Sequence, residues 1–168
     1  MLLFAHVGFA LASSRFWKGA ALGFVALGSM LPDIIDKPLA QLTDGIQGRS
    51  FAHTILFLLI LLGLAYSMRN IMFASISLGI FVHLALDFMW TQPVILFWPA
   101  FGNFPQGSHL DTLAYIELLL RGLHNPAVLV PEIIGFSYIV YLASNLAPEI
   151  SRESQNRLRT LTQYLFKS

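Results

Sequence analysis

Apolar residues in this chain come in long, nearly unbroken blocks rather than in the one-sided stripes of water-soluble helices. The blocks are segment A (2–12), B (19–31), C (51–67), D (71–90) and E (127–147). At 1.5 Å per residue, segment D measures about 30 Å, the thickness of the hydrocarbon core of a bilayer, and C and E are of similar length. A and B, at ~17–20 Å, fall short of a full crossing unless they continue into neighbouring polar residues. The pattern predicts an all-α, polytopic helical membrane protein with about five apolar segments, two short N-terminal ones and three full spans.

The stretches between the blocks refine this picture. Residues 1–148 read as a single helical membrane domain, and residues 149–168 as a basic amphipathic tail with Leu158, Leu161 and Leu165 at helical spacing among Arg157, Arg159 and Lys167. Between D and E, Asp111 is placed to cap a short apolar helix from Thr112 to Gly122 that lies on the bilayer surface, with the glycine as its stop. Ser50 is a candidate cap for segment C. Ala20, Ala21, Gly23, Ala26, Gly28, Gly63 and Gly79 are small enough to let helices approach closely, as packing in lipid favours.

Composition agrees: 56% of the 168 residues are hydrophobic and 11% charged, against about 25% charged in soluble domains. A net charge of +1 without basic patches leaves nucleic acid without a binding surface and lipid as the expected partner. Cysteine is absent, so any metal must be held by nitrogen and oxygen. The first dozen residues imitate a secretion signal, but Arg15 and Lys18 follow the apolar stretch instead of preceding it and His6 lies inside it, so the N-terminus is read as retained.

Basic residues set the orientation. Arg15 and Lys18 fall between A and B, Arg69 between C and D, and Arg152, Arg157, Arg159 and Lys167 after E. If every segment crosses, these regions share one side, which the positive-inside rule assigns to the cytoplasm, with Lys37, Arg49 and Arg121 on the opposite side reducing the bias. The chain is then expected in the inner or plasma membrane, with its N-terminus outside, its C-terminus in the cytoplasm, and residues 32–50 and 91–126 facing outward.

That topology collects the ionisable residues. His83 and Asp87, four apart at the end of D, project from one helical face, as either a ligand pair or an internal hydrogen bond. His53 opens C, Asp33 and Asp36 follow Pro32 at the exit of B, and His6 lies in A. All six reach one depth at the outer surface. Intramembrane ionisable groups are costly and tend to find partners, so a shared site for one or two divalent ions is expected. Mixed nitrogen and oxygen ligation points to zinc, with manganese and iron as alternatives. Arg49 is placed either to stabilise an oxyanion or to anchor the interface. Glu132, after Pro131 at the start of E, is either a catalytic carboxylate or a partner for a helix dipole. His109, His124 and Asp111 are read as surface or structural residues.

The elements Leu31-Pro32-Asp33-Ile34-Ile35-Asp36, Arg49-Ser50-Phe51-Ala52-His53-Thr54 and His83-Leu84-Ala85-Leu86-Asp87 resemble, in order and spacing over about the first hundred residues, the membrane-bound metal-dependent hydrolase family of YdjM-like proteins. Its N-terminal histidine, L-P-D-x-D-like, R-x-x-H-[ST] and H-x-x-x-D elements correspond here to His6, Asp33 with Asp36, Arg49 with His53, and His83 with Asp87. This chain has one more residue between the two aspartates than the shortest form of the motif. More distantly, the pattern is similar to the all-helical zinc-dependent phospholipases C. The resemblance implies a metal-dependent hydrolase acting on a lipid or lipid-linked ester, a phosphoester being favoured, at the outer interface. Two alternatives stay open from the residues alone: a non-catalytic protein with a structural metal, and an ion or proton transporter, against which the uncharged inner halves of C and D weigh.

Overall fold

A computed structural model describes residues 3–43, 48–107 and 112–165. Its elements are α1 (Leu3–Ser13), α2 (Leu22–Leu42), α3 (Ile55–Met68), α4 (Ile71–Leu86), α5 (Pro93–Leu96), α6 (Thr112–Gly122) and α7 (Pro126–Leu165), joined in part by 3-10 turns at Ser14–Phe16, Phe51–His53 and Met89–Thr91. There is no β-strand among the described residues.

Several apolar segments have different boundaries from those the sequence suggests: segment D does not run to Trp90 as one helix, since α4 ends at Leu86 and a 3-10 turn follows at Met89–Thr91. Segment B does not stop at Leu31: α2 runs through Pro32 and Pro38 to Leu42. A proline removes one intrahelical bond, whereas ending a helix where water is scarce would strand several backbone groups. Segment C does not begin as a helix at Phe51, because a 3-10 turn precedes α3 and Thr54, not Ser50, is its cap, with Oγ1 accepting from Phe57 N at 3.0 Å. At the far end α7 continues without a break through Pro148 to Leu165, so the tail is an extension of the last helix. The short helix predicted over 112–122 is present as α6, while Asp111 and His109 lie outside the described residues.

Among the described residues one helical stretch, Pro126–Pro148, is long and apolar enough to cross a bilayer unaided, and α3 and α4 are shorter apolar helices. Little of that stretch is buried within the protein, Glu132 and Gly135 being its buried residues, unlike the core helix of a soluble domain. Leu59, Leu62, Ile133, Ile134, Phe136 and Val140 are among many large apolar side chains left exposed, a surface that suits lipid rather than water.

Helices α1, α2 and α4 pack together, α3 leans on α4, and α7 crosses α1. Backbone contact fixes the central pair: a Cβ on Gly28 would overlap the Ile76 carbonyl, and one on Gly79 would overlap that of Val25. Close contact of α2 and α4 sets His83, one turn beyond Gly79, against the α2 backbone. At the same end, Leu58, Ile80, Leu84, Met89, Ile95 and Leu96 form a buried apolar cluster that seats the turns around the polar residues.

Candidate metal centre

Asp36 organises the loop that carries His53. Fully buried, it accepts from the amides of Ser50 at 2.7 Å, Ala52 at 3.1 Å and His53 at 3.2 Å, and from His53 Nδ1 at 2.7 Å. Four donors on two oxygens leave this carboxylate little capacity for an ion. Asp36 therefore stands behind His53 as its orienting partner, not beside the ion-facing nitrogens where the motif alone would set it; ligand imidazoles commonly have such a partner.

His83 is fixed in an equivalent way. Its Nδ1 lies 2.7 Å from the Ser29 carbonyl oxygen, an acceptor only, so Nδ1 carries the proton. His53 Nδ1 is likewise the donor to Asp36. Each ring therefore turns its Nε2 toward the other, and these two atoms stand 3.2 Å apart, with both residues fully buried. Two acceptor nitrogens are held at this distance by a cation between them, either a proton shared as a hydrogen bond or a metal ion. Two nitrogens ~2.05 Å from a tetrahedral zinc stand about 3.3 Å apart, so the observed spacing fits a shared ion.

Oxygen donors flank the pair. Asp33 Oδ1 lies 3.6 Å from His53 Nε2 and 4.0 Å from His83 Nε2, while its Oδ2 accepts from Lys37 Nζ at 2.6 Å. On the other side, His6 Nε2 is 3.1 Å from Asp87 Oδ1, and its ring lies against that of His83 with centroids 4.3 Å apart. Ligand-bearing atoms of His6, His83 and Asp87, and likewise of Asp33, His53 and His83, lie within 4.8 Å of one another. His83 belongs to both sets but has one nitrogen to give, so they describe one overlapping centre and not two independent three-ligand sites.

Arg49 closes one edge, its guanidinium 2.7 Å from Asp87 Oδ2. Access is one-sided: the His53, His83, His6 and Asp87 side chains are at most 6% exposed, whereas Asp33 is 27% and Arg49 35% exposed.

Of the remaining residues, Glu132 is away from this cluster, with its carboxylate on the amides of Phe4 and Ala5 at the start of α1. The proposed catalytic carboxylate is thus engaged as a helix-start partner. His124 is exposed beside the Leu120 carbonyl. Lys37 and Ser29 were not anticipated. The four-residue spacing from Asp33 to Lys37 is a legible helical pair, but no sequence signal marks the Ser29 carbonyl.

Fold and site together define a helical integral membrane protein with a buried histidine–aspartate cluster at one end of its helix bundle. The chain matches the family model of the YdjM inner membrane protein over residues 1–148 and belongs to that family. No curated protein and no solved structure matches it.

Proposed function

We propose that this inner-membrane protein is a metal-dependent hydrolase of a lipid or lipid-linked phosphoester, with five apolar segments crossing or embedded in the bilayer and the site at the outer face. The observation that carries this reading is the 3.2 Å approach of two buried Nε2 atoms whose partner nitrogens are already committed as donors. His53 and His83 would hold the ion, with His6, Asp33 and Asp87 as the further donors; Asp36 and Glu132 are outside this set. A divalent ion bound there supplies a Lewis acid that acidifies water and polarises a scissile phosphoryl group. One shared centre favours a single ion, and the nitrogen-rich donor set favours zinc.

The chain's own groups supply the rest. Asp87 Oδ2 anchors Arg49 at the exposed edge, where the remaining guanidinium donors can bind an anionic phosphoryl oxygen. Asp36 and the Ser29 carbonyl hold the two imidazoles in one tautomer, so no rearrangement is needed when substrate arrives. Ser50 Oγ, buried in the adjoining turn, has no hydrogen-bond partner among the described residues, which leaves it to be satisfied by an internal water. The exposed apolar flanks of the bundle suit acyl chains, which favours a membrane-borne substrate over a soluble one.

Metal analysis of the purified protein, followed by assay against lipid phosphoesters and carboxylesters with and without chelator, tests the reading. Bound metal with chelator-sensitive release of phosphate or a phosphorylated headgroup is expected. Tight metal with no hydrolysis across the panel would point instead to an ion that only clamps the helices.

A further inference from the structure

Glu132, in the second turn of α7, is buried at 5% exposure although it lies on a helix with a largely apolar, lipid-facing surface. Its two carboxylate oxygens accept from Phe4 N at 2.9 Å and Ala5 N at 3.2 Å. The first amides of a helix have no partner within it, and a negative group there also meets the positive end of the helix dipole.

One turn along α7, Gly135 lies directly against α1. A Cβ on Gly135 would overlap the Phe4 carbonyl and the Ala5 Cα, and a Cβ on Gly8 would overlap the Gly135 backbone. Phe136 adds an edge-to-face contact with Phe4, with ring centroids 5.1 Å apart. These contacts fall on Phe4, Ala5 and Gly8, on either side of His6. His6 in turn meets Asp87 at 3.1 Å, and its ring lies tilted against that of His83.

We propose that Glu132, with Gly135 beneath α1, is the positioning residue for His6: α7 holds the start of α1 at the height and rotation that bring the imidazole to Asp87 and His83. The proposal rests on the reading of His6 as an ion ligand. Glu132 acts through the α1 backbone and touches neither ion nor substrate. Without its carboxylate, two buried amides at the start of α1 lose their acceptor, while the far end of α1 keeps the contact of Arg15 with the Tyr138 and Tyr141 rings of α7.

The test uses the full-length protein in detergent titrated with cobalt(II), whose visible spectrum reports the geometry and identity of its ligands. Wild type, His83→Ala, His6→Ala, Glu132→Gln and the double variant His6→Ala with Glu132→Gln are compared, with helical content checked by circular dichroism. Glutamine is nearly isosteric and offers one acceptor oxygen to two amides, so the variant keeps its fold. Expected are loss of binding for His83→Ala, weaker binding with an altered spectrum for His6→Ala, and a Glu132→Gln protein that binds about 10-fold or more weakly, as partners behind ligands do, with its spectrum displaced toward that of His6→Ala. The double variant should bind no more weakly than His6→Ala alone, because both changes remove one contribution.

A Glu132→Gln protein with wild-type affinity and spectrum beside a weakened His6→Ala overturns the positioning role, as does full additivity in the double variant. If His6→Ala binds like wild type while His83→Ala does not, the ion stands but the positioning of a ligand by Glu132 is overturned. Undiminished binding in His83→Ala rejects the ion itself.

Discussion

His53 and His83 point their Nε2 atoms at each other across 3.2 Å, one from a 3-10 turn and the other from α4. Their other nitrogens are tied to Asp36 and to the Ser29 carbonyl, so neither ring can flip to relieve the approach without breaking a buried hydrogen bond. Losing such a bond costs about 1–3 kcal/mol where the orphaned group stays buried. The pair is held in the geometry that a cation stabilises.

Accordingly, His53→Ala and His83→Ala should each abolish tight metal binding while leaving the helices intact, since lipid and packing still hold the bundle. Metal analysis after gel filtration, beside circular dichroism, checks this; a wild-type stoichiometry near one ion per chain is also expected. Full occupancy in both variants rejects the centre.

Asp36→Asn should weaken metal binding by about 10- to 100-fold, the usual effect of removing a partner behind a ligand. It should also lower thermal stability, because the Ser50, Ala52 and His53 amides lose a charged acceptor. Titration with cobalt(II) and thermal unfolding in detergent measure the two effects. Unchanged affinity would remove Asp36 from the orientation of His53.

Arg49→Ala should keep the metal yet slow hydrolysis of a phosphoester by about 10²- to 10³-fold, the range seen when one transition-state donor is lost. The informative comparison is turnover against metal content in the same preparation. Equal losses of both would make Arg49 a support of the site through Asp87 rather than a substrate contact.

The proposed orientation is accessible because the chain has no cysteine. Asn103→Cys should react with an impermeant maleimide from outside the cell, and Ser67→Cys only after the membrane is opened. The reverse pattern would move the centre to the cytoplasmic face.

Helix type, approximate helix positions and the chemical identity of the donors are local properties, and they were legible in the chain. Long apolar blocks specify helices in lipid, and the four-residue step from His83 to Asp87 specifies a shared face. The structure brings His6, Asp33, His53, His83 and Asp87 to one end of the bundle. Only the tertiary structure decided which carboxylates face the nitrogens. Asp33 and Asp36 lie three residues apart on one continuous helix, and the loop from Ser50 to His53 wraps one of them and leaves the other open. Glu132 likewise reads as a carboxylate at a helix start, but the helix it serves is α1, brought to it by the contact of Gly8 with Gly135. Hydrogen-bond partners distant in sequence depend on how closely two backbones approach, and that distance is set by packing between helices, which no local pattern records.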